Sequence, residues 1–136
     1  MNIHNKAMWW LCLAALAALA GCSDAVKLAD VTGTVNVDGA PVEQGSISFF
    51  PVDGQGPTTG AEIAAGKYVS KAPLGDCKVE IRVPKIVGTK KLYDTPDSPV
   101  QNVMQEVLPA KYNQETELRF DAQPGKNEKN WDLSTK

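Results

Sequence analysis

The sequence predicts an all-β protein, a seven-stranded antiparallel β-sandwich set behind a short apolar N-terminal helix. Three observations predict it. Apolar residues recur with a period of two in several short runs, the pattern of half-buried strands. Turn-forming clusters of Asp, Gly and Pro separate those runs. No long amphipathic helical pattern follows residue 22.

The N-terminus has a different pattern from the rest. Asn2 to Lys6 is polar with one positive charge, and Ala7 to Ala20 is a run of 14 residues without charge. A membrane-spanning helix needs about 20 apolar residues, whereas a signal-peptide core needs about 7 to 15 and ends in small side chains. Residues 1–21 are therefore read as a signal-peptide helix. Residues 22–29 are a tether and residues 30–136 the folded domain.

Strand elements follow in order. Val31, Gly33, Val35 and Val37 share one face, with Thr32, Thr34 and Asn36 on the other. Asp38-Gly39-Ala40-Pro41 is a turn, with glycine supplying a positive φ. Ile47, Phe49 and Pro51 alternate with Ser46, Ser48 and Phe50, and Asp53 to Pro57 is a loop. Ala61–Ala64 and Lys67–Lys71 form a hairpin around Ala65-Gly66. After a turn at residues 72–76, Cys77, Val79, Ile81 and Val83 point one way and Lys78, Glu80 and Arg82 the other. That phase buries Cys77 as a small hydrophobe. Leu118 and Phe120 make a further strand, residues 122–127 a turn, and Trp131 with Leu133 the last strand.

Residues 85–109 do not fit this meander. With Pro84 the segment holds four prolines, and it carries Lys90, Lys91, Asp94 and Asp97. Loops of this length are commonly functional. Ser98-Pro99-Val100-Gln101 has the form of a capping box, and Val100, Val103, Met104, Val107 and Leu108 fall at helical spacing. Two readings of residues 98–108 stand: a two-turn helix, or an extended strand packed across the sandwich.

Charge and composition exclude several functions. Loss of residues 1–21 removes Lys6 and leaves 13 basic against 16 acidic residues, a net charge of −3. That balance argues against a nucleic-acid partner. His4 is the one histidine and lies in the leader. The domain beyond it has no imidazole for general-base catalysis, a Ser-His-Asp triad or zinc ligation. No catalytic residue, cofactor or metal site is expected. Asp53, and Asp94 with Asp97, lack the ligand spacing of a calcium loop and are read as turn carboxylates.

Two resemblances carry the functional expectation. Leu19-Ala20-Gly21-Cys22 resembles the bacterial lipobox in all four positions. The resemblance implies that the Cys22 thiol receives a diacylglycerol, that cleavage occurs before it, and that the new amino terminus is acylated. Several chains would then hold the protein to a membrane, since each buried CH₂ contributes about 0.8 kcal/mol and one chain holds weakly. Cys12 would leave with the leader, and Cys77 would remain without a disulfide partner. Ser23 after Cys22 is not the aspartate associated with inner-membrane retention, so the outer membrane is favoured, with the domain outside the cytoplasm.

Val31-Thr32-Gly33-Thr34-Val35, Asp38-Gly39-Ala40-Pro41-Val42, Gly45-Ser46-Ile47-Ser48-Phe49 and Gly66-Lys67-Tyr68 resemble the opening of carboxypeptidase regulatory-like domains. Leu108 to Asn113 and Pro124-Gly125-Lys126-Asn127 resemble small bacterial lipoproteins built from one such domain. The resemblance covers roughly residues 30 to 135 and implies a transthyretin-like sandwich with no catalytic apparatus. Hydroxyisourate hydrolases of related fold need histidines and a Tyr-Arg-Gly-Ser ending, and intradiol dioxygenases need iron-ligating histidines; both are disfavoured. The expected function is a non-enzymatic, lipid-anchored envelope module. Its partner would be an unidentified envelope protein or, alternatively, a polysaccharide.

Lys111, Tyr112 and Asn113 form the most suggestive polar cluster. They could present a stacking face and a charge to an acidic or sugar ligand. In the other reading Tyr112 packs near a strand start and bonds to backbone, the role its turn position favours. A sugar-binding domain would require Tyr68, Tyr93, Tyr112 or Trp131 in an exposed row, with Phe50 beside Trp131. The phase of Trp131 with Leu133 places it in the core instead.

Overall fold

A computed structural model of the chain describes residues 25–136. The expected signal-peptide helix and the expected lipidation site Cys22 lie outside the described residues. The remainder is all-β, with no α-helix among the described residues. Its strands are β1 (Leu28–Val37), β2 (Ala40–Pro41), β3 (Gln44–Pro51), β4 (Thr59–Ala64), β5 (Lys67–Pro73) and β6 (Gly75–Arg82). They continue with β7 (Pro84–Lys91), β8 (Val100–Glu106), β9 (Arg119–Ala122), β10 (Lys126–Glu128) and β11 (Trp131–Leu133). A single 3₁₀ turn spans Ala110–Tyr112.

The main sheet has the order β10-β1-β5-β4-β3-β6-β9, with β2 and β11 also paired to β1. Its terminal strands β9 and β10 are joined by only residues 123–125, so the sheet curls until its two ends meet. Ladder pairing between β4 and β5 is confined to Ala64↔Lys67, where the sheet folds over. Phe49 on β3 therefore meets Tyr68 on β5 at 6.4 Å between ring centroids, and Phe120 on β9 at 5.9 Å.

The period-two faces appear where the sequence places them. Val31 and Val35, Ile47 and Phe49, and Cys77, Val79 and Ile81 are buried in one core with Tyr68, Trp131 and Leu133. Burial of each such aliphatic or aromatic side chain contributes about 1.5–3 kcal/mol. The chain turns at Asp38-Gly39 and at Ala65-Gly66, while Ala40 and Pro41, read as part of the first turn, form the strand β2 paired back on β1. Asp38 and Gly39 have φ of 51° and 83°, and Ala65 and Gly66 have 50° and 74°. These are the positive pairs that match the twist of a tight hairpin.

Three further features differ from the sequence reading. The sheet is not wholly antiparallel, because β10 and β11 both run parallel to β1. Directions alternate through β1, β5, β4, β3, β6 and β9, which leaves β9 opposed to β1. The turn at Gly125 reverses the chain once more, so it must return along β1 in the same sense. Second, β1 begins at Leu28, and the fully buried Ala29 pairs with Ala72, so strand structure takes in two residues read from the sequence as tether. Third, residues 98–108 are not helical: Val100–Glu106 is the strand β8, paired antiparallel with β7 rather than laid across the core. Ile86, Val87 and Thr89 in β7 provide a β-branched partner close in sequence, and ladder bonds satisfy the backbone more fully than two helical turns would.

Candidate functional site

The β7–β8 hairpin forms an arm beyond the curled sheet. Every residue of β7 is exposed, and all of β8 is exposed except Glu106. Seven large hydrophobic residues lie open on this arm: Ile86, Val87, Leu92, Tyr93, Val100, Val103 and Met104. Only Val26, Val52 and Val69 are comparably exposed among the other described residues. Apolar patches on this scale mark interaction surfaces more often than packing accidents.

The base of the arm is fixed by Glu106. Its carboxylate accepts the backbone N–H of Val83 at 2.9 Å and of Leu108 at 3.0 Å, bracketing the hairpin where it leaves the domain. The Val107 N–H donates to the Val83 carbonyl. Beside this base lies a groove of about 700 Å³, lined by Val37, Pro41 and Val42 on one side and Pro84, Ile86 and Met104 on the other. Asp38 and Glu43 stand on its acidic side and Lys85 opposite. Asp38 accepts from the Thr135 backbone N–H at 3.1 Å and its hydroxyl at 2.6 Å. Those bonds hold the Asp38 carboxyl below its ordinary value.

The predicted polar cluster is divided by the fold. Lys111 Nζ lies 5.0 Å from the Tyr112 ring centroid, a cation–π pair at the surface. The Tyr112 hydroxyl accepts the Ser134 N–H at 3.3 Å and ties the 3₁₀ turn to the C-terminal segment. Asn113 is turned inward and only 3% exposed; its amide donates to the Ile81 carbonyl at 3.5 Å, and its Oδ1 accepts the Gln114 N–H. Lys111 and Tyr112 thus share a surface that Asn113 does not join.

Tyr68 and Trp131 are 2% and 6% exposed, so neither offers a stacking face. The Tyr68 hydroxyl donates to the Lys129 carbonyl at 2.7 Å and accepts the Trp131 indole N–H at 3.3 Å. Burial pushes its pKa to about 12. Gly33 makes this arrangement possible: a Cβ there would fall 1.8 Å from the Lys129 carbonyl oxygen. Tyr93, by contrast, is 66% exposed at the far end of the arm.

Cys77 is fully buried, and its Sγ donates to the Pro73 carbonyl at 3.3 Å. Burial, with smaller contributions from Asp76, Asp121 and Asp53, pushes its thiol pKa up. This is the setting of an inert core thiol. Asp53 caps its own loop by accepting the Gln55 N–H. Among the described residues, no three His, Cys, Asp or Glu side chains gather in a metal-binding group.

The arm was not legible as a surface feature from composition alone. Its signal is the pairing of adjacent apolar residues, Ile86-Val87 and Val103-Met104, which puts hydrophobic groups on both faces of a ribbon that cannot bury both.

No family model matches the chain, and no curated protein does. A solved structure, a 9R-lipoxygenase from Cyanothece PCC8801, is similar over 79% of this chain at 13% identity with a TM-score of 0.31. The chain spans 16% of that structure's length.

Proposed function

We propose that the chain is a non-enzymatic, lipid-anchored cell-envelope protein whose β-domain is an interaction or structural module. In this reading the domain is a transthyretin-like sandwich of the carboxypeptidase regulatory-like kind, and the β7–β8 arm with its adjoining groove is the partner surface. The observation that carries it is the concentration of exposed apolar side chains on one arm. Attachment is supported by Leu19-Ala20-Gly21-Cys22 at the close of the apolar run. Acyl chains on Cys22 would hold the domain at a membrane and outside the cytoplasm, the outer membrane being favoured. A polysaccharide ligand has weaker support, because Tyr68 and Trp131 are spent on the core.

Metabolic labelling with palmitate tests the anchor. The native chain should take up label and fractionate with membranes, and globomycin should cause the uncut precursor to accumulate. Cys22→Ser should lose label and membrane association together. A Cys22→Ser chain that remains labelled and membrane-bound would overturn the reading.

A further inference from the structure

We infer that β8 is a self-association edge: two copies of this chain pair antiparallel along Val100–Glu106 about a two-fold axis at Val103, joining their arms into one four-stranded sheet. The inference rests on the arm being the partner surface and is independent of the anchor.

A two-stranded ribbon exposed on both faces is at best marginally stable in water, and three or more strands are needed to hold a hydrophobic face. The β7–β8 ribbon is such a structure, pairing only with itself among the described residues. Its two outer edges differ in the features that govern further pairing. The β7 edge carries Pro84, Lys85, Lys90 and Lys91, and its register is broken by a bulge between Ile86 and Gly88. Proline, lysine and bulges are the devices that keep an edge from accepting another strand. Val100 to Glu106 has none of them. Its one charge, Glu106, is turned back onto the Val83 and Leu108 amides.

Charge also decides which edge a second copy can use. Pairing two β7 edges would bring lysines of both copies together, which is unfavourable. Pairing two β8 edges brings no like charges opposite each other. The ladder also fixes which backbone groups are free. Leu92 N–H donates to Pro99 and Val107 N–H to Val83, so by alternation Gln101, Val103 and Gln105 bond inward to β7. The N–H and C=O groups of Val100, Asn102, Met104 and Glu106 then face outward. A two-fold axis at Val103 sets Asn102 opposite Met104 of the second copy, and Val100 opposite Glu106. All four outward residues find partners. Val103 meets its own copy in a non-hydrogen-bonded pair, the closest kind, and its neighbour across β7 is Gly88, which leaves room beside it.

Cysteine crosslinking in intact cells making the full-length chain tests this. Val103→Cys should form a disulfide-linked dimer on mild oxidation, since the paired Cβ atoms would lie near disulfide range. Lys90→Cys, on the guarded edge of the same arm, should give only the background of the unsubstituted chain. Adding Asn102→Pro to Val103→Cys removes an outward N–H without touching the β7 ladder, and should return the dimer to background while far-ultraviolet dichroism is unchanged. Equal dimer from Val103→Cys and Lys90→Cys would overturn the inference. So would a dimer that survives Asn102→Pro, or Val103→Cys crosslinking only to a different protein. Palmitate label read on the same samples reports the anchor separately.

Discussion

Tyr68 and Trp131 are joined across the core by a hydrogen bond of 3.3 Å, from the indole N–H to a phenolic hydroxyl that itself donates to the Lys129 carbonyl. One buried oxygen thereby satisfies a side chain on β11 and a backbone group just before it, locking the parallel C-terminal strand to β5. Tyr68→Phe keeps the ring and strands both partners, which should cost about 1–3 kcal/mol in chemical unfolding. The same hydroxyl sets a pH dependence. Its pKa of about 12 in the fold lies above the ordinary 10.0, so the unfolded chain loses this proton first. The contribution is complete below pH 10 and is lost as pH rises toward 12. Melting temperatures measured from pH 9 to 12 should fall more steeply for the native chain than for Tyr68→Phe.

Gly33 is the position at which the smallest change should do most harm. A Cβ would sit 1.8 Å from the Lys129 carbonyl oxygen and 3.0 Å from the Tyr68 ring, so β1 and the C-terminal segment would have to separate. Gly33→Ala should destabilise the domain by at least about 3 kcal/mol. Gly88→Ala is the control. No atom lies within 4 Å of its Cβ position, and its change should stay within about 0.5 kcal/mol. Denaturant midpoints for the two variants check both expectations.

Much of the domain was legible because period-two burial and turn chemistry are local. The Val31–Val37 face, the turns at Gly39 and Gly66, and the burial of Cys77 and Trp131 all follow from residues within a few positions of one another. The parallel pairing of β10 and β11 with β1 joins residues about a hundred positions apart, and no local pattern encodes that direction. The arm was obscured by a coincidence of spacing. Val100, Val103, Met104 and Val107 satisfy a helical period as written, and only the partner strand at Ile86–Thr89 settles the competition. Asn113 shows the same limit at a single residue, since its inward turn depends on the Ile81 carbonyl on a distant strand.

Asp38 ties the C-terminal segment to the first hairpin beside the groove. Its bonds from Thr135 hold the carboxyl below its ordinary pKa, with a smaller contribution from Ser134 and Lys136. A carboxylate with a depressed folded pKa contributes stability that is present above its unfolded value and lost as pH falls through the folded one. Acidification should therefore release Thr135 before the core melts. The Thr135 amide resonance should shift with Asp38 protonation in an NMR titration. Asp38→Asn should remove that titration while leaving core amide protection intact. A Thr135 amide indifferent to both changes would contradict the clamp.

Cys77 should react only when the domain opens. Its sulfur is fully buried against the Pro73 carbonyl, and burial raises its pKa, so both access and thiolate fraction are low. Peptide-resolved alkylation with iodoacetamide at pH 8 should label Cys77 slowly in the native chain and rapidly in denaturant. The native rate should then follow the equilibrium population of the open state. Gly33→Ala, which destabilises a different strand, should accelerate Cys77 labelling in proportion to its loss of stability. Lys90→Cys on the arm should itself alkylate fast without speeding Cys77, because the arm adds nothing to the core that covers the thiol. Rapid labelling of Cys77 in the stable native chain would show a local opening at β6 and contradict its placement as an inert core residue.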